Sequence, residues 1–166
     1  MSTSNRDAQA AWLSQDAHDR LVAELNQLIA DRPVIAAEIN ARREEGDLRE
    51  NGGYHAAREE QGKQEGRIRY LQEFLRTAEV GEAAVADTVG AGMVVTIYFD
   101  SDSADTETFL LGSREIAATT DLTVYSPESA VGKAIMGAKS GDTAKYTAPS
   151  GAEIKVTVVK FKPFSG

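Results

Sequence analysis

The sequence predicts an α+β protein: an antiparallel helical hairpin in its first half, then a small β-sheet domain with one helix. Three observations predict it. Between residues 12 and 80, apolar side chains recur every three to four positions, the period of helices packed along a seam. The two repeating runs mirror each other about a single point, residue 48. Beyond Val80 the composition turns from Ala, Arg, Glu, Leu and Gln to Val, Thr, Gly and aromatic residues, and the apolar period falls to two.

With 166 residues, 42% of them hydrophobic, the chain has enough apolar side chain for a buried core. It has no cysteine, which excludes disulfide scaffolds, thiolate metal sites and cysteine nucleophiles. Its 26 acids against 18 Lys and Arg give a net charge of −8. Such a chain is ill suited to free DNA or an anionic membrane, where attraction needs clustered positive charge. No apolar run approaches the roughly 18–20 residues of a membrane span. The start, MSTSNRDAQAAW, lacks the hydrophobic stretch of a secretory signal, so a cytoplasmic protein is expected.

Residues 1–11 read as a loose polar arm, 12–80 as the hairpin, 81–92 (GEAAVADTVGAG) as a small-residue linker and 93–166 as the C-terminal domain. Ser14 is a good N-cap for the first helix, and Asp16 and Asp19 suit the positive end of its dipole. The first seam runs Leu21, Leu25, Leu28, Arg32, Ile35, Ile39, Arg42. After a break at EEGDLRENGG the alternation resumes with Tyr54, Ala57, Gln61, Gln64, Ile68, Leu71, Leu75, Ala78. Read forwards against backwards, Leu21 meets Leu75, Leu28 meets Ile68, Arg32 meets Gln64, Ile35 meets Gln61 and Arg42 meets Tyr54; each pair of numbers sums to 96. The expected result is an intramolecular coiled coil about 40 Å from Leu21 to its turn, at 1.5 Å per residue.

The seam is apolar at its root and polar toward the turn. Gly62 and Gly66 lie nearby, and each costs about 0.5–1 kcal/mol relative to alanine in a helix. Pro33 removes one i→i−4 hydrogen bond, so a bend or local strain is expected just before Val34. In the second half, strands are expected over 93–99, 106–111, 122–125, 144–147 and 152–161. A short helix over 131–138 follows Ser129 as its cap.

Conventional active-site chemistry is scarce. The two histidines, His18 and His55, both fall on helices, and no phosphate-binding glycine loop occurs. The turn is the outlier. Residues 42–51, RREEGDLREN, gather four carboxylates and three guanidinium groups. Asp47 and Glu50 flank the fold centre three residues apart, and oxygen donors suit a hard cation such as Mg²⁺. That ion also takes waters and substrate phosphates, so two carboxylates would complete a site elsewhere rather than form one. A solvated charged turn is the plain alternative.

The stretch ARREEGDLRENGGYHAAREEQGKQEGRIRYLQ, residues 41–72, resembles the signature of the bacterial transcript-cleavage factors. SAVGKAIMGAKSGD, residues 129–142, is similar to that family's second signature. The resemblance implies an FKBP-like fold for the C-terminal domain. It implies a monomer that binds RNA polymerase, with that domain at the rim of the secondary channel and the coiled coil reaching the catalytic centre. There it would stimulate the polymerase's own Mg-dependent cleavage of backtracked nascent RNA, being no enzyme itself and carrying no cofactor of its own. The family's acidic pair falls on Asp47 and Glu50, which would share a Mg²⁺ with the polymerase. Arg43, Arg49, Asn51 and Tyr54 would support the tip, and Arg58, Lys63 and Arg67 are candidates to face the RNA 3′ end. No membrane partner is implied.

Two departures stand out. Gly52-Gly53 replaces the family's Ala-Glu, and Ser129-Ala130 replaces its Ser-Pro. Two other readings compete: a channel-binding regulator of the same fold that inhibits or does not stimulate cleavage, and a prolyl isomerase or chaperone. The latter needs an aromatic-lined pocket, for which Tyr98, Phe99, Phe109, Tyr125, Tyr146 and Phe161 are available.

Overall fold

A computed structural model describes residues 11–46, 50–81 and 86–165. They form two compact units: the hairpin, Asp19–Thr77, and a sheet unit that joins the residues up to His18 to those from Ala78 onward.

The hairpin consists of α1 (Gln15–Arg43) and α2 (Gly52–Thr77). Ser14 caps α1 as expected, its Oγ accepting the Ala17 N–H at 3.2 Å. The helix continues through Pro33, which sits on the exposed side where the missing N–H loses least. Pairing follows the mirror symmetry of the sequence. Leu28, Arg32 and Ile35 face Gln61, Gln64 and Ile68 around one cavity of about 230 Å³. Outside the seam Arg32 forks onto Glu65 at 2.9 Å through both Nε and Nη2, and Arg67 forks onto Glu24 at 3.2 and 2.8 Å. The Arg32 hydrogen bond holds the Glu65 carboxyl below its usual range, an effect that the guanidinium charge reinforces.

Trp12–Leu13 (β1) and Glu79–Val80 (β2) form a two-stranded parallel ladder, Trp12 opposite Glu79 and Leu13 opposite Val80. These four residues were expected inside the helical segment. A two-residue strand is too short to carry a period of its own, so nothing in the local sequence announces it. Trp12 anchors the ladder: its Nε1–H donates to the Gly81 carbonyl at 2.7 Å and its ring meets Phe164 edge-on, centroids 6.2 Å apart.

The larger sheet contains β3 (Met93–Phe99), β4 (Thr106–Leu111), β5 (Thr123–Tyr125), β6 (Thr143–Thr147) and β7 (Glu153–Pro163) in the order β5-β4-β3-β7-β6. Only β4–β5 is parallel; the connection between them carries a 3₁₀ turn, Arg114–Thr119, that the sequence reading lacked. A bulge between Thr96 and Ile97 shifts the β3–β7 register by one residue. One face forms the core, where Val95, Ile97, Phe109, Leu111, Val156 and Val158 pack with α3 (Ala130–Ile135). Ser129 caps α3 as expected, accepting the Gly132 N–H at 3.1 Å. Gly132 is needed there because a Cβ would stand 2.3 Å from the Ser126 carbonyl oxygen. Among the described residues no helix is long and apolar enough to cross a membrane.

Candidate functional site: the tip of the hairpin

Asp47 and Arg49 lie outside the described residues, which resume at Glu50. The organiser of what is described is Asn51. Its Oδ1 accepts the Tyr54 N–H at 2.9 Å, capping α2, while its Nδ2–H donates to the Arg42 carbonyl at 2.5 Å, closing the last turn of α1. One amide therefore ties both helix ends together. The Gly52 N–H adds a bond to the Glu50 carbonyl at 3.1 Å.

Arg43 and Tyr54 meet as a cation–π pair, the guanidinium carbon 5.8 Å from the ring centroid. Arg42, one of the turn's three guanidinium groups and the last residue of the first seam, takes a definite place at the tip. Its side chain lies across the first turn of α2, where a Cβ on residue 53 would stand 2.8 Å from Arg42 Nη1. The second glycine of Gly52-Gly53 thus makes room for an arginine. The signal for this was present in the pairing of Arg42 with the start of the second seam.

Behind the tip a cavity of about 300 Å³ separates Ile35, Glu38 and Arg42 from Gly53, Ala57 and Gln64. Gln64 Oε1 is buried and without a hydrogen-bond partner among the described residues. Small and polar side chains thus leave this end of the seam underfilled.

Glu50 is exposed, and among the described residues its carboxylate has no side-chain partner. No three His, Asp or Glu side chains among the described residues come together to hold a metal. An exposed carboxylate fits one end of a hard-cation site whose other donors come from elsewhere.

The three candidate RNA-facing cations do not form one patch. Arg58 and Arg67, nine residues apart on α2, point in opposite directions at about 100° per residue. Arg67 is engaged with Glu24 and also lies over the Tyr70 ring, 5.5 Å from its centroid. Arg58 reaches Gln61 at 3.4 Å, and Lys63 stands 4.0 Å from Glu59, both exposed.

Among the described residues, most aromatic side chains of the sheet unit belong to its core, and Phe161 also lines a cavity of about 450 Å³. Phe109 is fully buried, and Phe99, Tyr125, Tyr146 and Phe161 pack around the same core. Tyr98 points to the opposite face, opposite Thr106 and Thr157. Tyr125 donates to Glu107 Oε1 at 2.5 Å; that bond, then burial and the Glu107 charge, push its hydroxyl up to about 12.

Residues 11–80 match the N-terminal GreA/GreB transcription elongation factor family, and residues 84–163 match its C-terminal counterpart. The chain is 59% identical over 160 residues to transcription elongation factor GreA of Mycobacteroides abscessus, covering 95% of this chain and 98% of that protein. It is 59% identical over 162 residues to transcription elongation factor GreA of Mycolicibacterium smegmatis, covering 96% and 99%. Among solved structures, GreA factor homolog 1 of Thermus thermophilus aligns over 93% of this chain and 99% of that one, at 24% identity and a TM-score of 0.42.

Proposed function

The chain belongs to the GreA/GreB family of transcription elongation factors, and from that premise we propose that it binds RNA polymerase and stimulates the polymerase's own cleavage of backtracked nascent RNA. The hairpin enters through the secondary channel, and the sheet unit docks at its rim. The protein acts as a cytoplasmic monomer, reaching the nucleoid through the polymerase, and performs no hydrolysis itself.

The observation that carries this reading is the tip: a tied turn at the end of two registered helices, with Glu50 exposed and without a side-chain partner among the described residues. Asp47 and Glu50 are the residues that would hold a Mg²⁺ shared with the polymerase. When bound, that ion supplies the second metal of a two-metal phosphodiester hydrolysis, lowering the pKa of water and orienting it. Asn51 fixes where Glu50 leaves the turn, so the carboxylate arrives already oriented. Arg43, held over Tyr54, braces the turn, and Arg49 offers a guanidinium to RNA phosphate. Arg58 and Lys63, exposed on α2, remain candidates for the extruded RNA, whereas Arg67 would first have to leave Glu24.

The test uses purified polymerase stalled in a backtracked complex, with RNA shortening followed over time. The parent chain should accelerate 3′ cleavage. Asp47→Ala and Glu50→Ala should each reduce that acceleration on the order of 10²-fold or more, the scale of removing one preorganised charge-stabilising group, while binding persists. Parent-like cleavage by Asp47→Ala would refute the metal role. Tight binding by the parent without RNA shortening would make the protein a channel-binding inhibitor instead.

A further inference from the structure

The face of the sheet turned away from α3 is basic, in a chain of net charge −8. Register places Lys145 directly opposite Lys155, Thr96 opposite Lys160 and Val94 opposite Lys162, all on that face. Four of the six lysines that follow Val80 are gathered there. The only acid among the strand residues of this face is Glu153, at the far edge, 3.7 Å from Lys145.

Like charges placed opposite one another across a ladder destabilise it, so the Lys145–Lys155 pair is a cost that the exposed Glu153 carboxylate, 3.7 Å from Lys145, offsets weakly. Lys160 and Lys162 are exposed, two residues apart on a central strand, and have no acidic partner among the described residues. Beside them lies a cavity of about 450 Å³ with Val94, Leu122, Phe161 and Pro163 as apolar walls. Thr96 and Thr108 line it too, their hydroxyl oxygens 2.9 Å apart. Two hydroxyls bonded to each other use one hydrogen between them, leaving the second for another acceptor.

We propose that this open face is a docking surface for an acidic segment of a partner protein, its carboxylates on Lys160 and Lys162 and an apolar side chain in the adjoining cavity. Charge complementarity selects an anionic occupant, and the cavity selects a protein over a nucleic acid. A nucleic-acid platform on a sheet needs exposed aromatic rings for bases to stack on. Among the described residues this surface offers only Tyr98 on its strands and Phe161 at the cavity wall, and both rings are partly buried. The overall negative charge also opposes a long polyanion more than a short peptide. The proposal is independent of the cleavage chemistry at the hairpin tip.

The experiment is an amide NMR titration of the full chain. One probe is a peptide of glutamates interrupted by leucines; the other is a single-stranded RNA. The peptide should saturate and shift the amides of Thr96, Thr108, Lys160 and Lys162. Lys160→Glu/Lys162→Glu should weaken it about tenfold or more, as reversal of two contacting charges does. Lys133→Glu/Lys139→Glu changes net charge equally but lies off this face, and should bind nearly as the parent does. If charge reversal disturbs the fold, Lys160→Gln/Lys162→Gln should still weaken the peptide severalfold with amide dispersion intact. Equal loss in both reversed variants, no saturation, or tighter binding of RNA at these amides would overturn the proposal.

Discussion

The root and the tip of the hairpin share one repeat and differ in what fills it. Toward the root, Leu21, Ile68 and Leu71 are almost wholly buried. Toward the tip the seam still buries Ile39, but it also holds Arg32, Gln61, Gln64 and Ala57, and cavities of about 230 and 300 Å³ open between the helices. Spacing sets which residues face each other, and side-chain volume and polarity set how firmly. A hairpin that acts through its tip, as proposed above, keeps register along its whole length while concentrating its packing at one end.

Four measurements break or sharpen this contrast, from the largest expected effect to the smallest. Leu71→Ala, at the root, should lower the stability of the full chain by about 2–5 kcal/mol, read from helical circular dichroism during denaturation. Gln61→Ala near the tip should cost far less; equal losses would erase the distinction. Asn51→Ala should cost about 0.5–2 kcal/mol through the lost cap, and amide exchange should rise first at residues 52–55. That variant should also slow cleavage without weakening polymerase binding, since it frees the turn but leaves both carboxylates.

Gln64→Leu should stabilise the hairpin by about 1 kcal/mol, because it fills space and removes an orphaned carbonyl oxygen. A loss instead would mean that Gln64 is solvated within the seam and that the tip is less dry than its packing implies. The smallest effect is acid titration of Glu65. Its carboxyl is held below the ordinary 4.5, so its contribution is complete above that value and disappears as pH falls through the lower folded value. Arg32→Gln should bring the Glu65 titration, followed by carbon-13 NMR, back toward 4.5, and added salt should do the same in part.

The helices, their pairing and the strands at the centre of the sheet were legible because each rests on a repeated period. Seven seam layers, Leu21 to Arg42 against Leu75 to Tyr54, over-determine one register, and alternation in β3 and β7 marks which side chains face α3. What escaped were features built from single contacts. The β1–β2 ladder depends on Trp12 finding the Gly81 carbonyl, 69 residues away, and no local pattern encodes that bond. The parallel β4–β5 pairing was hidden for the same reason. At the tip, the charge cluster and Asn51 were visible in the sequence, yet the seating of Arg42 over Gly53 required knowing that the two helices converge there.

The last strand of the chain, β7, lies inside the sheet between β3 and β6. During synthesis the hairpin's contacts, all within one stretch, can form as soon as that stretch leaves the ribosome. β3 must wait for its neighbour, and Trp12 for Phe164, until residues 153–164 emerge. Folding is therefore ordered from the hairpin to the sheet unit, and a ribosome stalled before residue 153 would display a formed hairpin and an unfinished, aggregation-prone sheet.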